Sequence, residues 1–134
     1  MNIIDATCPL VHEIHHEVKK LSEDLDKRGR GRKIIIIGDH GHDEVVAIAN
    51  QVEGSIVVST PNEALKLKRM KRAGVVSQST QMIENVQEIM NILMEKVFDL
   101  HFVNTICFPT KRNHEQIKTL ATENDVMIII GSFT

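Results

Sequence analysis

Ile34-Ile35-Ile36-Ile37-Gly38-Asp39-His40-Gly41-His42-Asp43-Glu44-Val45-Val46 is the stretch that decides the fold. Four consecutive β-branched apolar residues that end at a glycine predict a strand buried on both faces, as in a parallel sheet covered by helices. The glycines allow a tight turn, and the apolar spacing over residues 44–52 predicts a helix. We therefore expect His42 and Glu44 at the carboxyl end of a parallel strand, where open α/β sheets bind ligands.

The composition is that of one ordinary globular domain. The chain has 134 residues, 42% of them hydrophobic and 25% charged, which allows a substantial core. A net charge of -2, no Trp, no Tyr and only four Phe argue against a nucleic-acid partner. No apolar run approaches the length of a membrane span, so we expect a cytoplasmic protein without a membrane partner.

Strand and helix signals alternate along the whole chain. The apolar runs predict strands at residues 2–5, 34–37, 55–59, 73–76, 100–103 and 126–131. Amphipathic segments between them predict helices, the last of which turns Ile117, Leu120 and Ala121 inward. This βαβ pattern predicts an α/β fold with a parallel β-sheet and helices on both faces, a three-layer α/β/α arrangement. Residues 1–103 would form one α/β module, and residues 104–134 would begin a second, truncated one.

Chemically active side chains follow four of the predicted strands. They are Cys8, His42 with Glu44, Ser79 with Thr80, and Cys107. A proline directly or shortly after each cysteine predicts that the sulfur lies at a helix N-terminus, where the helix dipole stabilises a metal-binding thiolate. Taken singly, each group has a simpler interpretation as a buried thiol, a helix cap or a first-turn carboxylate. Their occurrence at four separate junctions favours one shared site along the sheet edge.

We predict no functional role for the basic linker or for three of the histidines. We expect the basic linker, residues 27–33, to be a solvated loop and not a specific anion-binding site. His12 and His16 share one face of the first predicted helix, and we expect both to face solvent. His40 is read as a loop residue without a partner.

Five motifs carry a resemblance to a known family. They are Asp5-Ala6-Thr7-Cys8-Pro9-Leu10-Val11 with His15, Gly41-His42 with Glu44-Val45, Val76-Ser77-Gln78-Ser79-Thr80-Gln81, Asn104-Thr105-Ile106-Cys107, and Met127-Ile128-Ile129-Ile130-Gly131-Ser132. In this order the chain resembles the LytB/IspH family of 4-hydroxy-3-methylbut-2-enyl diphosphate reductases along its whole length.

The resemblance implies three α/β modules around a 4Fe-4S cluster held by three cysteines, with one iron open to substrate. Such enzymes reductively dehydroxylate a small-molecule allylic diphosphate to isopentenyl and dimethylallyl diphosphates, using electrons from ferredoxin or flavodoxin. By motif, Cys8 and Cys107 would be two cluster ligands. His42, with Ser79, would bind the substrate. Glu44, Ser79 and Thr80 would form the proton-delivery network.

The resemblance also implies that the chain is a fragment. The module with the first cluster cysteine, and most of the third module, would lie outside it, so we expect the 134-residue piece to be inactive and without a complete cluster. The chain departs from the family pattern at Asp43, Ala47, Asn50, Ser79 and the pair Asn113-His114.

Two other classes of function stay open at this point. A noncatalytic diphosphate-binding or regulatory α/β module would use His42 and Ser79 and would need neither cysteine. A metal- or redox-responsive assembly would instead pool two cysteines from each of two chains around one cluster.

Overall fold

The structure is a computed structural model, and it describes residues 4–131. In chain order its elements are α1 (Pro9–Glu23), β1 (Lys33–Ile37), α2 (Asp43–Ala49), β2 (Ile56–Val58), α3 (Pro61–Lys66), β3 (Met70–Ser77), α4 (Ile83–Lys96), β4 (Val97–Phe102) and α5 (Phe108–Glu123). Among the described residues, no helix combines the length and apolarity that crossing a membrane requires.

The four strands form one parallel sheet in the order β2-β1-β3-β4. In the centre, Ile36 of β1 lies opposite Val57 of β2 and Val76 of β3. The isoleucines of β1 are buried because this strand has a neighbour on each side and helices above and below. The predicted strand at residues 34–37 is thereby confirmed.

Successive isoleucines of β1 supply two separate cores. Ile34 and Ile36 pack with α1 and α2, whereas Ile35 and Ile37 pack with α3 and α4. This division follows from the strand geometry, in which neighbouring side chains point to opposite faces. The predicted three-layer α/β/α arrangement is confirmed.

Two predicted strands are not confirmed. Residues 126–131 form no strand, and the apolar side chains there are exposed, Ile130 by 94%. An apolar run becomes a strand only where a neighbour pairs with its backbone, and none of the four strands pairs with this one. At the other end, Ile4 and Asp5 lie outside any strand, and residues 2 and 3 lie outside the described range.

The last helix also differs from the prediction. Ile117, Leu120 and Ala121 were expected to face a core, but all three are exposed, because no layer of the sheet covers α5.

The division at residue 103 stays a prediction. Ile106, which lies beyond it, packs in the same apolar cluster as Ile35.

The basic linker ends in a network of ion pairs at the amino end of the sheet. The Arg32 side chain is only 8% exposed and bridges Asp24 and Asp99, at 2.6 and 2.8 Å. Arg72 contacts the same two carboxylates at 3.1 and 2.9 Å. The linker is therefore a loop as predicted, but Arg32 joins α1, β1 and β4 and does not extend into solvent.

This network predicts a loss of stability in acid. Hydrogen bonds from Arg32 lower the pKa of both Asp24 and Asp99 below the ordinary value for aspartate. A carboxyl with a lower pKa in the folded state stabilises the fold above its unfolded pKa of about 4 and loses this effect as the pH falls further. We expect Tm to fall between about pH 5 and pH 2, and to fall less steeply in Asp99→Asn. Parallel Tm profiles for the two proteins would contradict this assignment.

Candidate functional site

The turn after β1 places His42 and Glu44 at the carboxyl end of the sheet. Gly38 is required there, since a Cβ atom at this position would lie 2.6 Å from Cγ2 of Val45. Gly41 has a φ of +80°, which a side chain would disfavour. His42 is the N-cap of α2, and its Nδ1 atom accepts a hydrogen bond from the backbone N–H of Glu44 at 3.2 Å.

Glu44 reaches across to the loop after β3. Its Oε1 atom accepts from the backbone N–H of Ser79 at 2.8 Å, and its Oε2 atom accepts from the Ser79 hydroxyl at 2.9 Å. Both residues are half-buried. Two donors from one residue hold both carboxylate oxygens, so the orientation of the Glu44 carboxylate is fixed.

Cys107 joins the same contacts from the loop after β4. Its backbone N–H donates to the carbonyl oxygen of Ser79 at 2.9 Å. Cys107 lies at a helix N-terminus, as predicted, where it is the N-cap of α5, and its half-buried Sγ atom accepts from the Thr110 N–H at 3.4 Å. The Thr110 hydroxyl oxygen lies 2.7 Å from the same sulfur. Glu44, Ser79 and Cys107 therefore form one continuous set of contacts.

Cys8 and Thr80 lie outside this set. Cys8 is the N-cap of α1, as predicted, but it is exposed and its side chain makes no capping hydrogen bond. Thr80 is exposed, and its hydroxyl accepts from Nε2 of Gln78 at 2.9 Å. The sulfur of Cys8 thus makes no hydrogen bond to the helix that follows it.

Buried polar side chains support the loops around the site. Oε1 of Gln78 accepts from the Asp39 N–H at 2.9 Å, which ties the loop after β1 to the loop after β3. The Thr105 hydroxyl accepts from the Ser77 N–H at 2.8 Å and thereby fixes the segment before Cys107. Gln78 and Thr105 lie within the quoted motifs, but no supporting role was predicted for them. The signal that could have identified them is a polar residue close after an apolar strand. Backbone groups lose their sheet partners there, and a polar side chain can bond to them instead.

Four further histidines take three different environments. His12 and His16 are exposed as predicted, and His12 lies 3.3 Å from Asp5. His40 was expected to have no partner, but it contacts Glu63 at 2.8 Å because the short α3 brings that carboxylate to the loop. His15 has a buried Nε2 atom without a hydrogen-bond partner among the described residues. Burial lowers the pKa of His15, and the charge of Glu44 partly opposes this shift.

The two thiols suit an iron–sulfur cluster as part of its ligand set. Cysteine sulfur at a helix N-terminus is stabilised as thiolate, the form that binds iron. Within residues 4–131, no three His, Cys, Asp or Glu side chains are grouped closely enough to hold a metal ion. Cys8 and Cys107 could therefore supply two ligands of a cluster, and further ligands would have to come from elsewhere.

Several known proteins are similar to this chain. The reductase named 4-hydroxy-3-methylbut-2-enyl diphosphate reductase from Geobacter sulfurreducens is 37% identical over 134 residues, which cover 99% of this chain and 45% of that protein. The protein of the same name from Campylobacter lari is 39% identical over 132 residues, covering 98% and 45% of the two chains. This chain thus spans about half the length of these relatives.

Solved structures of such reductases share the fold. The reductase from Plasmodium falciparum superimposes with a TM-score of 0.80 at 29% identity, over 97% of this chain and 41% of that one. A structure described as the terminal enzyme of the non-mevalonate pathway gives a TM-score of 0.66 at 35% identity, over 98% and 46%. The family model described as LytB protein matches residues 1–134. With that match over its full length, the chain belongs to the LytB family.

Proposed function

We propose that this chain is part of an iron–sulfur reductase that converts 4-hydroxy-3-methylbut-2-enyl diphosphate to isopentenyl and dimethylallyl diphosphates. The observation that carries the proposal is the set of contacts joining Glu44, Ser79 and Cys107 across three strand ends. A proton donor next to a cluster ligand is the arrangement that a reductive loss of water needs. The family membership of the chain supports the same activity.

The proposed cofactor is a 4Fe-4S cluster, with Cys8 and Cys107 as two of its ligands. When bound, the cluster would supply single electrons and Lewis-acid chemistry to the reaction. Cys107 is held through its backbone by the loop that carries Ser79, so it would keep a fixed position relative to the carboxylate of Glu44. Cys8 is exposed, and its sulfur is available to an external group.

We assign the diphosphate contact to His42. Because Nδ1 of its ring accepts a hydrogen bond from the Glu44 amide, the neutral ring carries its own proton on Nε2. His42 is exposed at the sheet edge, so this Nε2–H group can donate to a phosphate oxygen. Ser79 is proposed as a second contact to the substrate.

Glu44 is the proposed proton donor, and Ser79 orients it. The reaction takes up two electrons and two protons, breaks the allylic C–O bond and releases water. A protonated Glu44 would give its proton to the departing hydroxyl, and Ser79 would keep the carboxyl aligned through its two hydrogen bonds. Thr80, bonded to Gln78, is placed next to this pair in the sequence and completes the proposed network.

The remaining assignments follow from the length of the relatives. We propose that residues 1–103 form the central module and residues 104–134 the beginning of another, so that activity requires parts that this chain does not contain. Exposed apolar residues at 126–130 support this assignment, because they could form a buried strand beside a further module. A ferredoxin or a flavodoxin is the proposed electron donor.

The test is an anaerobic comparison of this chain with the complete protein that contains it. Each is reconstituted with iron and sulfide and then assayed with a reduced viologen dye and 4-hydroxy-3-methylbut-2-enyl diphosphate. We expect a stable cluster and formation of both products in the complete protein, and neither in the 134-residue chain. A complete protein that binds the diphosphate but holds no cluster would contradict the proposal and favour a noncatalytic binding module.

A further inference from the structure

We propose that Thr110 raises the reduction potential of the iron–sulfur cluster by donating a hydrogen bond to the sulfur of Cys107. The inference rests on the proposed function, because it takes Cys107 as a cluster ligand. Thr110 would act through that ligand, so it is a positioning residue and does not contact the substrate.

The contact is short and is built into the first turn of α5. The Oγ1 atom of Thr110 lies 2.7 Å from Sγ of Cys107, and the Thr110 amide nitrogen lies 3.4 Å from the same sulfur. Cys107 is the N-cap and Thr110 is the third helical residue, which is the spacing that brings a cap atom over the N–H of that residue. Both residues are half-buried, so the contact is partly shielded from water.

Ligation would fix the direction of this hydrogen bond. In a free thiol either partner could donate, but a thiolate bound to iron has no proton to give. The Thr110 hydroxyl must then donate and the sulfur accept. Thr110 would therefore contribute two donors to one ligand, its hydroxyl and its amide, and only the hydroxyl can be removed by substitution.

A donor at a ligand sulfur favours the reduced cluster. Reduction adds negative charge to the cluster and its thiolates, and a hydrogen bond to sulfur stabilises that charge. The hydroxyl of Thr110 should consequently shift the potential to a more positive value, which makes the cluster easier to reduce by its donor. Simple helix capping predicts a different result, since the Cys107 sulfur already caps the helix by accepting from the Thr110 amide, and the hydroxyl would then affect only stability.

The test measures the midpoint potential of the complete, cluster-loaded protein by anaerobic redox titration followed by visible absorption and electron paramagnetic resonance. Thr110→Val removes the donor and keeps the branched shape, whereas Thr110→Ser keeps the donor. Thr119→Val is the matched control, because Thr119 lies on the same helix, is exposed, and donates only to the Glu115 carbonyl at 3.1 Å. We expect a more negative potential for Thr110→Val and the wild-type potential for the other two variants.

An intact cluster with the wild-type potential in Thr110→Val would overturn the proposal. Should the valine variant fail to load, Thr110→Ala replaces it, since alanine introduces no methyl group into the place of the hydroxyl. Failure of both to load, while Thr110→Ser loads, would mean that the hydroxyl supports ligation and does not tune the potential, which also overturns the proposal. Failure of the wild-type protein to hold a cluster would reject the proposed function itself.

Discussion

Replacement of Glu44 by glutamine is expected to lower kcat of the complete, cluster-loaded protein by about 10²–10⁴-fold, the usual contribution of a general acid. The side chain of glutamine has one oxygen, so it can accept only one of the two hydrogen bonds that Ser79 donates to Glu44 at 2.8 and 2.9 Å. It cannot give up a proton to the substrate hydroxyl. The loss should therefore appear in the chemical step and not in the fold.

The controls for Glu44→Gln separate chemistry from structure. Iron content and Tm should stay near the wild-type values, and Glu53→Gln, at an exposed position outside the helices and strands, should leave kcat unchanged. An unchanged kcat in Glu44→Gln would refute its role as proton donor. A parallel loss of iron would instead show that Glu44 supports the cluster through Ser79 and Cys107.

Replacement of Cys107 by alanine should abolish both the cluster and turnover in the complete protein. Cys107 supplies the one thiol of the loop after β4, and a cluster that has lost one of its cysteine ligands is unstable. Iron and sulfide contents and the visible absorption of the cluster measure the effect. We expect the same result for Cys8→Ala.

His42→Asn distinguishes a ligand from a residue that only binds substrate. This variant should retain the cluster, because His42 is assigned to the diphosphate, and should raise KM. Retention of full iron content by Cys107→Ala would contradict the ligand assignment. Loss of iron in His42→Asn would show that the site holds its metal differently from the proposal.

The sequence was sufficient to predict the sheet because its signals there are local. The β-branched run Ile34–Ile37, which ends at a glycine, favours a strand covered on both faces, and a proline after Thr60, Cys8 or Cys107 marks a helix start. These signals do not depend on distant parts of the chain. The location of both cysteines at helix N-termini was therefore predictable as well.

The errors concern residues whose structure depends on a partner. The apolar run at 126–131 and the face of α5 with Ile117 were assigned to a core, yet nothing in the described residues covers them. Arg32, read as a solvated residue, is held by Asp24 and Asp99, which no sequence pattern links to it. An apolar or charged pattern predicts that a side chain needs a partner but does not identify the partner.

Within the site, the sequence predicted the groups but not their contacts. Placing Glu44, Ser79 and Cys107 at strand ends implied a common edge, because parallel strands end on the same side. The two hydrogen bonds that Ser79 donates to Glu44 depend on the direct parallel pairing of β1 with β3, which only the structure shows. Thr110 was missed, although a hydroxyl three residues after a predicted N-cap is a recognisable signal.

The central claim is that Cys8 and Cys107 converge on one cluster at this edge. Since these are the only two cysteines of the chain, a short bifunctional thiol reagent tests the claim directly on the reduced protein. The account predicts an intramolecular cross-link between Cys8 and Cys107 in the monomer, identified by mass spectrometry of the digested protein, and none in Cys8→Ala. If each cysteine instead reacts with a separate molecule of the reagent and no cross-link forms, the claim is contradicted.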